Sequence, residues 1–371
     1  MEAVSLRELN RWTLARQHLL ARTEATPAAA VEALAGMQAQ APSAPYIGLW
    51  SRLVGFQVAD LEEALRQQAV VKTTVMRGTL HLVAATRLAA FRRATGSSYY
   101  DSTLRAMAEL GLDLEAIRAH VADQAEARPR SRTEVFKLVA EQVPPPHPAW
   151  LTDRPSAVAA LSVTTDLVNS PEDAFFTAPV RSSYIVHRTD PVELQVAARR
   201  VAGDYLAAYG PASAADLAAW SGRPARQFAE ALASLDLIRF KGPDGRTLLD
   251  LAGAARPPAD TPAPVRFLPV WDSLLLAHAR RERVLGEGHR KLVIAKNGDV
   301  APTFLVDGVV AGTWGVPPKA APLGAGPSAA PALTLRPLVP LSSGDKRAVA
   351  EEGRRLLAWL RPGTKAPVAW A

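Results

Sequence analysis

Apolar positions recur at helical spacing over 27–37, where Val31, Leu34 and Met37 share a face and Pro27 stands in the first turn. After Pro45, the residues Ile47, Leu49, Trp50, Leu53 and Val54 predict a second short helix. Asp60 opens a third from Leu61 to Gln68. The pattern then turns β-branched. Val70 to Met76 reads as a strand, Arg77-Gly78 as a turn and Thr79 to Val83 as a returning strand. Three helices followed by a β-hairpin is the order of a winged helix-turn-helix.

The same order returns twice. Arg132–Val143 predicts a helix that ends at Pro144-Pro145-Pro146. Pro155–Val168 predicts another, and Ala174-Phe175-Phe176 with Ser183 to Val186 reads as a hairpin. The third copy is the clearest. A long helix over Val192–Tyr209 stops at Gly210-Pro211, and Ser213 caps Ala214–Trp220. Ser221-Gly222 turns, Pro224 starts a helix to Ser234, and Pro243-Asp244-Gly245 joins strands 237–240 and 246–250. A proline-rich linker covers 254–264. Beyond it, Val265–Leu276, Lys291–Ala295, Val300–Val306 and Val309–Trp314 read as strands or strand-bearing runs, with turns at Asn297-Gly298 and Asp307-Gly308. Residues 315–331 read as a flexible loop, Leu333-Thr334-Leu335 as a strand and Lys346–Leu360 as a closing amphipathic helix. The expected fold is α+β: three tandem winged helix-turn-helix units (1–92, 93–190, 191–256) followed by a small β-rich, barrel-like C-terminal domain (262–371).

Composition narrows the chemistry. The chain has 371 residues, 48% of them hydrophobic, with no apolar run long enough to span a membrane. No apolar signal core follows Arg7, Arg11 and Arg16, so a cytoplasmic protein is expected. Cysteine is absent, which excludes disulfides, thiolate catalysis and thiolate metal sites. The 43 basic residues against 36 acidic ones give a net charge of +7. Arginine doublets (Arg92-Arg93, Arg199-Arg200, Arg280-Arg281, Arg354-Arg355) suit phosphate contact, although a GC-rich genome enriches arginine by itself. The seven histidines show no metal-binding spacing, and Gly78, Gly286 and Gly288 are isolated turn glycines rather than a phosphate loop. No metal and no cofactor is expected.

Gln38-Ala39-Gln40 is the most informative tripeptide. It stands at the end of an amphipathic run, before the helix-breaking Ala41-Pro42, and brings together two neutral amides that have no proton to lose at ordinary pH. On its own, such a tripeptide reads as a solvated helix end. Its setting is more specific. Met37-Gln38-Ala39-Gln40-Ala41-Pro42, Gly48-Leu49-Trp50-Ser51-Arg52-Leu53 and Met76-Arg77-Gly78-Thr79-Leu80-His81-Leu82 follow one another in the first unit. Leu268 to His278 (LPVWDSLLLAH) and Val306 to Trp314 (VDGVVAGTW) follow in the C-terminal part. With these segments the chain resembles the AlkZ-type DNA glycosylases, winged-helix proteins that excise alkylated bases and unhook interstrand crosslinks. The resemblance spans nearly the whole chain. It implies a concave body of three winged helices, Gln38 and Gln40 as the catalytic pair, and a role in self-resistance to a DNA-alkylating natural product. One departure stands out: Arg280 occupies a position, just after His278-Ala279, where an Asp is expected.

Two amides suffice for a cationic substrate. Guanine alkylated at N7 already carries its charge and leaves as a neutral molecule, so the protein need only position water and stabilise the sugar. The nearest acids in sequence, Glu32 and Asp60, read as solvated helix positions. Candidate DNA contacts are Arg52, Lys72, Arg77, His81, His278, Arg281 and Lys296. Of these, His81 is equally a satisfied strand residue, and Lys296 stands beside the tip of a hairpin that is equally a plain structural one. Trp271-Asp272 reads either as an approach to DNA or as a core Trp with a capping Asp. The expected partner is duplex DNA carrying alkylation or crosslinks, met by a monomer without a membrane. Two rivals remain open: a winged-helix transcription regulator, against which three copies in one chain argue, and a drug-sequestering protein without chemistry.

Overall fold

The computed structural model describes residues 1–143, 166–179, 182–316, 333–363 and 367–371. The chain is a mixed α+β protein whose described residues form four small sheets, three of three strands and one of five. In the first sheet the two-residue strand Met37–Gln38 pairs antiparallel with Leu80–Ala84, which pairs antiparallel with Val70–Thr74. The second joins Arg130–Ser131, Ser183–Val186 and Leu167–Asn169. The third joins Glu2–Ala3, Leu237–Lys241 and Thr247–Leu251. Helices flank each: Pro27–Ala33, Ser43–Trp50 and Val58–Arg66 precede the first hairpin, and Leu194–Tyr209 and Ala214–Ser221 precede the third.

Local chemistry sets the helix ends. Thr26 caps Pro27–Ala33 through its hydroxyl, with proline in the first turn where no N–H is needed. Ser213 and Asp216 form a reciprocal capping box, as do Ser5 with Glu8, Ser131 with Glu134, and Ser342 with Asp345.

Several elements depart from the sequence reading. Ser183–Val186 pairs with Leu167–Asn169 rather than with Ala174-Phe175-Phe176, because Pro171 starts a 3₁₀ turn over Pro171–Ala174. Asp173 then ties back to the Ser183 hydroxyl at 2.7 Å. Lys291–Ala295 is not a strand: Arg290–Val293 is a helical turn continuing the 3₁₀ turn Glu287–His289. The segment from Pro224 to Ser234 is a 3₁₀ turn, Ala225–Phe228, running into a short helix, Ala229–Ala233. Helices at Leu6–Arg16, Ala85–Ala94, Ser98–Glu109 and Leu114–Ala127 went unread. The proline break at 144–146, most of the helix expected over 155–168, and nearly all of the loop expected over 315–331 lie outside the described residues.

The C-terminal sheet runs Arg266–Leu268, Thr303–Val306, Val309–Gly315, Leu333–Pro337, Val368–Trp370. It is an open sheet and not a closed barrel, since its first and last strands do not pair with each other. The helix Ser343–Leu360 packs Val349, Leu356 and Leu357 into the same core as Phe267, Phe304 and Leu335. That core also takes in Tyr46, Leu49 and Trp50 of the first unit. A second core joins Val75, Met76 and Phe91 to Val201, Tyr205 and Trp220. The hairpin after Gln38-Ala39-Gln40 is thereby packed directly against the helices Leu194–Tyr209 and Ala214–Ser221. Residues 93–190 keep a core of their own around Met107, Ile117, Val121, Val135 and Val139.

The first sixteen residues, counted by sequence order with the first unit, make their contacts elsewhere. Glu2 pairs with Phe240, Trp12 stacks at 5.3 Å on Phe240, and Arg16 forms an ion pair with buried Asp250 at 2.7 Å. Asn10 donates to the carbonyls of Arg283 and Gly308.

Candidate active site

Gln38 sits on a strand edge, not on a helix end. The helix Pro27–Ala33 stops five residues earlier, and Ala35 and Gly36 both turn the chain through the left-handed region (φ +52° and +88°). Gly36 is needed there, because a Cβ would stand 3.2 Å from the Leu82 carbonyl oxygen. Extended backbone then carries the tripeptide: Gln38 lies opposite His81, and the Ala39 N–H donates to the Leu80 carbonyl at 2.8 Å. Alternation along an extended segment turns Gln38 and Gln40 to the same side. Pro42 then stands just before the helix Ser43–Trp50, without a side-chain capping hydrogen bond.

The two amides touch. Nε2 of Gln38, a residue only 7% exposed, donates to Oε1 of Gln40, itself an exposed residue. The Arg77 guanidinium donates to Oε1 of Gln38 at 3.3 Å, to the Trp220 carbonyl at 2.6 Å and to Nε2 of His81 at 3.4 Å. A guanidinium has donors only, so it fixes the polarity of everything it touches. His81 must accept at Nε2 and donate from Nδ1 to the Thr79 carbonyl, 2.9 Å away. Burial, reinforced by the Arg77 charge, drops the His81 pKa to about 3 against the pull of that hydrogen bond. His81 is therefore a neutral imidazole at working pH. Burial also lowers Arg77 to about 10, with Tyr209 opposing and the Arg281 charge adding to the drop.

The structure thus brings together Gln38, Gln40, Arg77 and His81, with Arg281 close enough for its charge to be felt. It separates the others. Arg52 is buried in a two-pronged ion pair with Asp272, both contacts at 2.9 Å, and donates to the Gly48 carbonyl at 3.0 Å. Lys72 is buried and donates to the Asp173 carbonyl at 2.9 Å. His278 is buried against Tyr205 and Tyr209, 3.0 Å from the Tyr209 carbonyl oxygen. These three side chains, expected as DNA contacts, are buried here and engaged with partners inside the protein. Asp272 also caps the helix Ser273–Leu276, the plainer of the two readings of Trp271-Asp272. Arg281 is half-buried and tied to the Leu275 carbonyl at 2.6 Å; Lys296 is exposed at its turn. Arg280 is exposed and pairs with Asp244 at 3.3 Å.

Sequence reasoning missed two parts of the site. The Trp220 carbonyl, 143 residues beyond Arg77, and Gly222 stand at the end of the helix Ala214–Ser221 and contribute no functional side chain. Among the described residues, no three His, Asp or Glu side chains gather as a metal site. No helix there is long and apolar enough to cross a membrane.

Comparison with known proteins gives a consistent picture. The family described as DNA glycosylase AlkZ-like matches residues 31–359. An interstrand DNA cross-link repair glycosylase from Streptomyces sahachiroi is 27% identical over 350 residues, covering 84% of this chain and 87% of that protein. The solved structure of Streptomyces sahachiroi DNA glycosylase AlkZ superposes with a TM-score of 0.77 at 19% identity, over 100% of both chains.

Proposed function

Because this chain belongs to the AlkZ-like DNA glycosylase family, we propose that it excises cationic N7-alkylguanine and unhooks interstrand crosslinks, with Gln38 and Gln40 as the catalytic pair. The observation that carries this reading is the directed series from Arg77 to Gln38 to Gln40. It leaves a lone pair of the exposed Gln40 Oε1 free to accept from an attacking water. In the reaction, the C1′–N9 bond breaks and its electron pair returns to the base, which leaves neutral. Water adds to the sugar and its proton passes to solvent. Nothing need be protonated first, so amides serve where an uncharged base would demand an acid.

A crosslinked base is tethered to the opposite strand and cannot swing freely into a deep pocket. The partly exposed amide pair fits a lesion approached in place. The three small sheets with their flanking helices support tandem winged helices over 1–92, 93–190 and 191–256, acting as a monomer with the β-rich part beyond 262. Arg281 and Lys296 are the backbone contacts in this reading, and resistance to a DNA-alkylating natural product is its physiological sense. The relative that repairs interstrand crosslinks supports that substrate class.

The test is incubation with duplex containing N7-methylguanine, with free base and alkali-labile abasic sites measured. Both are expected from the native protein and neither from Gln40→Ala. Tight duplex binding with no release of base would mark a regulator, and neither binding nor release a protein that sequesters the drug.

A further inference from the structure

We propose that Arg77 is the positioning residue of this site: it sets which end of each amide faces its neighbour, acting through Gln38, and is itself held by the end of the helix Ala214–Ser221. This rests on the amide-pair reading above.

The two ends of a glutamine amide are alike in size and shape, so hydrogen bonding decides which end faces a neighbour. Two amides in contact therefore have two internally consistent arrangements, and only one of them leaves the Gln40 oxygen committed toward Gln38 with a lone pair to spare for water. A donor-only group at one end removes the choice. Arg77 is that group. Its other partners are both acceptors, the Trp220 carbonyl and the Nε2 of a neutral His81, so the guanidinium is held by uncharged neighbours and not by an anion.

The backbone is as constrained as the side chain. Arg77 takes φ +56°, ψ 11°, a left-handed conformation uncommon for a non-glycine residue. The end of the helix Ala214–Ser221 lies close against it: a Cβ on Gly222 would stand 2.9 Å from both N and Cα of Arg77 and 2.0 Å from the Gly96 carbonyl oxygen. Across the hairpin the Tyr100 hydroxyl donates to the Gly78 carbonyl at 3.1 Å. The third unit thus reaches the amides through Trp220, Gly222 and Arg77. The other use of a guanidinium beside DNA is direct phosphate contact, and the two roles part experimentally.

Single-turnover excision of N7-methylguanine, together with duplex affinity at several salt concentrations, is measured for Arg77→Ala, Arg77→Lys, Gln38→Ala and the double variant Arg77→Ala/Gln38→Ala. A misplaced reacting group costs on the order of 10²-fold, and that loss is expected for Arg77→Ala with affinity and salt slope unchanged. Arg77→Lys is expected to fall with it, because one ammonium cannot span three acceptors in a fixed fork. It also carries the test if the alanine variant fails to fold. In the Gln38→Ala background the Arg77 change should cost no more than about 2-fold, since residues acting as a unit are not additive. Losses that multiply, rescue by lysine, or a salt slope shallower by about 0.9 would make Arg77 a phosphate contact and overturn the proposal. Full activity of Arg77→Ala beside an inactive Gln38→Ala would overturn it alone, whereas an active Gln38→Ala would overturn it together with the amide-pair reading.

Discussion

Gln38 and Gln40 cannot change protonation between pH 6 and 9, and the imidazole beside them is already neutral across that range because its pKa lies near 3. Single-turnover excision of N7-methylguanine should therefore vary little over those pH values, without the bell shape of a paired acid and base. A steep limb near 6.5 in the rate profile would bring a titrating group into the mechanism. For the same reason uracil and oxidised guanine, which carry no charge, should not be released. Substrate range should follow the cationic character of the base more closely than the size of the adduct. Gln40→Ala should remove most excision and leave duplex affinity within a few-fold, because phosphate contacts supply the affinity. Equal loss of both, read by filter binding beside base release, would make the residue structural.

Individual elements are held to one another by charges taken out of water. Asp272 caps Ser273–Leu276 and grips Arg52, which also spans to the Gly48 carbonyl, so one carboxylate ties the helix after Gln40 to the C-terminal sheet. Removing it leaves a buried guanidinium without its anion. Asp272→Ala should cost about 3–5 kcal/mol in urea unfolding, a loss that an exposed pair such as Arg66 with Glu63 would not produce. A tight turn does similar work beside the N-terminal helix. Gly308, at φ +79°, lies so close to the N-terminal helix that a Cβ would stand 2.5 Å from Leu14 Cδ1 and 2.6 Å from Asn10 Oδ1. Gly308→Ala should lower the melting temperature sharply by parting Leu6–Arg16 from the sheet.

Across the whole molecule, two buried imidazoles make stability depend on acid. His81 and His278 both have folded pKa values near 3, lowered chiefly by burial, while the unfolded chain takes up their protons around 6.5. Their contribution is complete above pH 6.5 and is lost as pH falls toward 3, at up to about 1.4 kcal/mol per pH unit for each imidazole. Urea midpoints at pH 6.5, 5.5 and 4.5 should show this, and His278→Gln, which cannot charge, should flatten the slope. The logarithm of duplex affinity should also fall linearly with log salt, by about 0.9 per phosphate neutralised; a flat dependence would sink the DNA-binding reading.

The residues alone determined the α+β class, the hairpin after the Gln pair, the long helix and hairpin between 192 and 251, and the family through segments spread along the chain. Those features are written in periodicity, caps and turn residues, which act within a few positions of each other. Leu6–Arg16 escaped because its inner face buries Asn10, Arg11 and Arg16, whose partners lie some 200 to 300 residues away. Likewise Arg52, Lys72 and His278 look like free polar groups in sequence, and only packing shows their partners. The amide pair was legible, but not its polarity. That depends on a carbonyl at Trp220 and a missing side chain at Gly222, and neither backbone groups nor empty space leave a mark on the sequence until the third unit folds against the first.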